Sequence, residues 1–271
     1  MRAWSGIVRS SIGSRGFSLV EIAIVLVVVG LIVSGGLLGL SPVLQANKVS
    51  QTNQQMDRIE QALVLYVIQN GCLPCPADPT TLNGAAAKGA ASTYSTGCSG
   101  TGTACYDSQG LVPWVNLGLS KADVIDPYGS FIDYAVTTSA SDVTSLTNLS
   151  TNMVRTPPST YPAGGLTVTD ASPTTQTNVA AYVLVSHGAD GSYGFAAASG
   201  KQRSNPNSGT TTNQVANQAT GTGPYTASTG FIQNQALGAS ASGGYFDDIV
   251  RFKTAPVIIQ SCGTNACGNP A

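Results

Sequence analysis

Charge is what this sequence has least of. Lys and Arg together number 12 and Asp and Glu 13 among 271 residues, so 9% is charged, against roughly 25% in an ordinary soluble domain. With a net charge of −1, no basic surface can form that would neutralise a phosphate backbone, so nucleic acid is not an expected partner. Glutamate occurs only at Glu21 and Glu60, and histidine only at His187. This poverty leaves no pair of catalytic carboxylates at a recognisable spacing. Ser186 and His187 are neighbours on a strand-like run and would point to opposite faces, which spoils them as nucleophile and base. No enzyme is expected. Long internal repeats are missing too, which excludes a solenoid.

What is present is unevenly spread. Hydrophobic residues make up 42% and fall in runs, which argues for a packed core and against general disorder. From Phe17 to Leu40 the chain is apolar apart from Glu21, and at about 1.5 Å per residue such a helix would be long enough to cross a bilayer. The sixteen residues before it carry Arg2, Arg9 and Arg15 and no acid, which keeps a leader cytoplasmic and sends the remainder across the membrane. A secretory signal would place small residues after its apolar core, whereas Gly16 stands before this one. Gly35, Gly36, Gly39 and Pro42 predict a bend over residues 34–42. Beyond it, Val49, Met56, Ile59, Leu63 and Val67 recur mostly three or four apart, which predicts an amphipathic helix running to Asn70-Gly71.

Residues 72–110 are rich in Pro, Gly, Ala, Ser and Thr and read as a loop pinned by cysteines. Strands are expected at Phe131–Val136, Leu166–Thr169, Ala180–Val185, Ile249–Phe252 and Val257–Ile259, with a type I turn at Asp126-Pro127-Tyr128-Gly129. One long helix followed by short strands predicts an α+β fold, the helix packed on an antiparallel sheet. Residues 199–240 are poor in large apolar side chains and read as an exposed low-complexity loop, a variable or glycosylated surface.

The six cysteines, Cys72, Cys75, Cys98, Cys105, Cys262 and Cys267, are even in number, which in an exported chain favours disulfides. Cys262 with Cys267 is the expected local pair, and the other four leave several pairings open. A thiolate metal site would need more ligands than one His allows. Cys72-Leu73-Pro74-Cys75 has redox spacing, but it trails a predicted helix where such motifs head one.

Arg15-Gly16-Phe17-Ser18-Leu19-Val20-Glu21, followed by apolar helix, resembles the leader junction of type IV prepilins and type II secretion pseudopilins. The resemblance implies a pilin-like fold with a cleaved leader at residues 1–16, a transmembrane and filament-core helix at 17–42, and a disulfide-bonded extracytoplasmic head at 43–271. It implies cleavage after Gly16 and N-methylation of Phe17 by a prepilin peptidase. Glu21 would neutralise a neighbouring subunit's amino terminus during assembly. The implied partners are other pilin subunits, the inner-membrane assembly machinery and the membrane itself. The implied location is the inner membrane before assembly, then a surface filament or a periplasmic pseudopilus.

The function expected is structural polymerisation, with two alternatives: a minor pilin or pseudopilin that primes or caps a filament, and a membrane-anchored adhesin. Ser186 to Gly191 also resembles a pseudopilin element that holds calcium, and this implies Ca2+ on Asp190, Asp247 and Asp248. Here His187 stands where the family has an aromatic, and Asp190 and Asp247 are more widely separated. Leu73 to Pro76 and the segment from Leu111 to Gly129 resemble pilin-like head segments, with Trp114 and Tyr128 as packing residues.

Overall fold

The computed structural model describes residues 18–38, 40–79, 105, 107–137, 165–170, 172, 174–205, 212–221, 225–228, 230–237, 244–262 and 267; the side chains of residues 32–41 and 212 are outside this set. The chain divides into two compact units, Met1–Asn47 and Lys48–Ala271. The elements in order are helices α1 (Leu19–Leu38) and α2 (Leu40–Asn70), strand β1 (Gln109–Leu111), a 3₁₀ turn (Lys121–Val124), strands β2 (Asp133–Val136), β3 (Leu166–Thr169) and β4 (Thr175–Ser186), a short helix α3 (Thr212–Val215), strands β5 (Phe231–Ile232) and β6 (Ile249–Thr254), and helix α4 (Ala255–Gln260).

The expectation of one long apolar helix in a pilin-like fold is corrected here. Among the described residues no helix is long and apolar enough to cross a membrane. α1 ends at Leu38, and α2 is a separate helix that carries Lys48, Asp57, Arg58 and Glu60.

The amphipathic stripe forms from Met56 to Val67, while Val49, expected in it, stays exposed. Met56, Ile59, Leu63 and Val67 of α2 are fully buried in one cluster with Tyr134, Val136, Tyr182 and Leu184 of the sheet. Burying each such side chain is worth about 1.5–3 kcal/mol. Three ion pairs flank the stripe: Arg251 with Asp57, Lys253 with Glu60 at 3.1 Å and Arg58 with Asp123 at 3.4 Å. All are partly exposed and worth about 0–1 kcal/mol each, so the stripe decides the packing.

Among the described residues the strands form one sheet in the order β1-β2-β4-β3-β5, with β6 also paired to β4. All pairs are antiparallel except β3 with β5, which is parallel. The expected all-antiparallel sheet is therefore a mixed one. Parallel neighbours need a crossover in place of a hairpin, and the chain between Thr169 and Phe231, which includes β4, supplies it. The alternation of side chains puts Tyr182 and Leu184 on the α2 face and Val183 and Val185 on the other. There they join Val168, Phe231 and Val250 in a second core.

Two further expectations change. Val257–Ile259 lies in α4, not in a strand, because Pro256 falls in the first turn after Thr254, where its fixed φ and missing N–H favour a helix start. Residues 199–240 are not merely an exposed loop: Gln214, Asn217, Ala219, Tyr225 and Phe231 are buried. Asn217 acts as a surrogate strand on the edge of β5. Its Oδ1 accepts the Ile232 N–H at 2.8 Å and its Nδ2 donates to the Ile232 carbonyl at 3.0 Å.

Candidate functional site

β4 ends at Ser186, and there the chain delivers its single histidine to the interior. The strand's alternation separates Ser186 from His187, as the sequence predicts. Ser186 Oγ donates to Asp126 Oδ2 at 2.7 Å, while His187 Nε2 lies 3.1 Å from Asp133 Oδ2 on β2. His187 Nδ1 faces Asp248 Oδ1 at 3.9 Å, just ahead of β6, and Asn217 Nδ2 donates to Asp248 Oδ2 at 2.8 Å. Asp133 and His187 are wholly buried, and Asp126 and Asp248 nearly so.

Burial alone would lower the His187 pKa, but the charges of Asp133, Asp248 and Asp126 and the Asp133 hydrogen bond push it up to about 9. Burial raises Asp248 to about 7 against the pull of His187 and Asn217. It raises Asp133 and Asp126 as well, against their hydrogen bonds. The imidazolium thus joins β2 and β4 to the start of β6. Sealed from solvent, it works as a clamp and offers no surface to a substrate. Gly194 permits the packing, because a Cβ there would stand 2.9 Å from His187 Cδ2.

The structure brings Asp190 and Asp247 together and takes Asp248 elsewhere. Gln214 Nε2 donates to Asp190 Oδ2 at 3.2 Å and to Asp247 Oδ1 at 2.9 Å. Asp247 Oδ2 accepts the backbone N–H groups of Ala189 and Asp190 and the Tyr245 hydroxyl. Burial and the charge of Asp190 raise the Asp247 pKa. Gly188, at φ +57°, lets this loop close, since a Cβ there would lie 2.4 Å from the Asp247 carboxyl carbon. Asp248 turns inward to His187 and Asn217 because successive residues entering a strand face opposite ways. Among the described residues no group of three or more His, Cys, Asp or Glu side chains is placed to hold a metal ion.

Glu21 is exposed in the first turn of α1, its N–H bonded to Ser18. Gly16, Phe17 and Cys98 lie outside the described residues. Cys75 is bonded to Cys105, and Cys262 to Cys267 as expected; Cys72 is disulfide-bonded also. Tyr134 Oη donates to the Pro74 carbonyl at 3.0 Å, which holds the Leu73–Pro76 element against the sheet. Trp114 stacks on Phe131.

Sequence reasoning missed Asp126, Asp133, Gln214 and Asn217 as members of these networks. An acid inside the apolar run from Phe131 to Val136, in a chain with one histidine, was a usable signal for Asp133. Nothing in the polar 199–240 segment distinguishes Gln214 and Asn217 from their neighbours. No family model, no curated protein and no solved structure matches this chain.

Proposed function

We propose that the chain is a structural subunit of a type IV pilus-like filament, released from its leader between Gly16 and Phe17 and assembled through the apolar segment that follows. The observation that carries this reading is the junction Arg15-Gly16-Phe17-Ser18-Leu19-Val20-Glu21 running straight into a helix whose apolar side chains are exposed, Leu19 by 87% and Leu31 by 67%. Proteins that act alone in water rarely leave a contiguous surface of this kind uncovered. Covering it against neighbouring subunits would return about 25 cal/mol per Å².

Glu21 suits that role. It is the one charge among these apolar residues, its position in the first turn is favoured by the helix dipole, and a carboxylate enclosed by apolar surface requires a partner. In this reading a neighbour's methylated amino terminus is that partner, and the prepilin peptidase and inner-membrane assembly machinery act before the filament forms.

Intact-mass measurement on the protein extracted from its own cells tests the processing. The expected chain begins at methylated Phe17, and a chain beginning at Met1 rejects the proposal. Glu21→Val should leave that mass pattern intact, apart from the substitution, while filament yield under electron microscopy drops to background. Undiminished filaments would show that the carboxylate has no part in assembly.

A further inference from the structure

The resemblance at Ser186 to Gly191 implies calcium on Asp190 and Asp247, and the donors around these two carboxylates do not fit it. Asp190 lies in the loop after β4 and Asp247 just ahead of β6, and Gln214 on α3 reaches both. Its Nε2 donates to Asp190 Oδ2 at 3.2 Å and to Asp247 Oδ1 at 2.9 Å, which uses both hydrogens of the amide. The other two carboxylate oxygens are engaged as well. Asp190 Oδ1 accepts the Ser192 N–H at 2.8 Å, and Asp247 Oδ2 accepts the Ala189 and Asp190 N–H groups and the Tyr245 hydroxyl. Every oxygen of the pair thus faces a hydrogen-bond donor.

Calcium asks for the opposite surroundings. It gathers roughly six to eight oxygen ligands, whereas the group held between these carboxylates is a nitrogen with its hydrogens. Asp248, the third implied ligand, is turned to Asn217 and His187. Gln214 is wholly buried and its Oε1 has no hydrogen-bond partner, so the two carboxylates orient the amide. They draw its N–H side toward themselves, since the reversed amide would aim an oxygen at two anions.

We infer that Gln214 stands in for a calcium ion: its amide offsets the repulsion between Asp190 and Asp247 and ties the loop after β4 to the lead into β6 without a metal. Gln214 is thus a positioning residue, and its task does not depend on whether the chain polymerises. Without the amide the two carboxylates would face each other unrelieved, and a divalent cation would then be the remaining way to hold them together. Calcium dependence is therefore one substitution away.

Thermal melting of the full chain in detergent, with millimolar calcium or with a chelator, tests the inference. The wild type should melt at the same temperature in both. Gln214→Glu brings a third carboxylate to the pair, so it should melt lower than the wild type in chelator and recover with calcium. Its folded-to-unfolded ratio should rise about a hundredfold once calcium stands at a hundred times its Kd. Gln214→Ala should show the same pattern more weakly, and it decides the question if Gln214→Glu does not fold. A general loss of packing would lower both melting temperatures equally and leave no calcium response. A calcium-dependent rise in the wild type that Asp190→Asn abolishes would overturn the inference, because Gln214 would then be turning its oxygen to a bound ion. Variants that respond to calcium no more than the wild type would overturn it too.

Discussion

His187 shows how much one residue can organise when it is the only one of its kind. Its two nitrogens face carboxylates carried by different parts of the chain, Asp133 on β2 and Asp248 ahead of β6, and the loop that begins with Gly188 is closed by Asp247. Gly188 is the point at which this arrangement is most easily damaged. A Cβ there would meet the Asp247 carboxyl group, and the left-handed backbone costs a side chain roughly 1–2 kcal/mol before any clash. Gly188→Ala should therefore lower the urea midpoint by at least that equivalent, because Asp247 must leave the Ala189 and Asp190 amides to make room. An unchanged midpoint would mean that the loop tolerates rearrangement and that the Asp247 contacts contribute little.

At the scale of elements, α2 shows apolar periodicity outweighing charge pairing. Met56, Ile59, Leu63 and Val67 are fully buried against the sheet, whereas Asp57 reaches Arg251 from a half-exposed position. Leu63→Ala should cost about 2–5 kcal/mol, the range for opening a cavity in a packed core. Asp57→Ala should cost no more than about 1 kcal/mol. Denaturant unfolding of the two variants side by side measures both; a reversal of their order would show that the ion pairs, not the stripe, hold α2 in place. The same scale explains why Val257–Ile259 became part of a helix. Its β-branched residues favour a strand locally, but Pro256 in the first turn and the burial of Ile258 and Ile259 in the α2-side core outweigh that preference.

For the whole molecule, the buried cluster makes stability depend on pH in one direction. His187 is raised to about 9 from 6.5, so its stabilising contribution is complete below about pH 6.5 and is lost as pH climbs through 9. Asp248 is raised to about 7 from 3.8, so the fold favours its protonated form and that contribution is likewise lost as pH rises through 7. Both shifts have the same sign, and linkage then predicts a falling urea midpoint between pH 6 and pH 9. Asp248→Asn keeps the shape and the Asn217 contact while removing one titration, so the loss between about pH 4 and pH 7 should become shallower. A midpoint that rises between about pH 6 and pH 9 would contradict the clamp.

By itself the sequence determined those features that depend on spacing along the chain. The stripe from Met56 to Val67, the strand Leu166–Thr169, the turn at Asp126 to Gly129, the Cys262 pair with Cys267 and the separation of Ser186 from His187 all follow from periodicity, turn chemistry or proximity, and need no knowledge of what lies opposite. Only the tertiary structure decided which distant residues meet. It paired β3 with β5 in parallel, drew Tyr225 and Phe231 out of a polar segment into the cores, used Asn217 to close the β5 edge, and split Asp247 from Asp248. It also ended the expectation of a membrane-crossing helix among the described residues. The physical reason is that these outcomes depend on crossovers and on partners tens of residues apart. A polar side chain such as Gln214 or Asn217 carries no mark in the sequence that tells whether the fold will satisfy its hydrogen bonds inside or leave it to water.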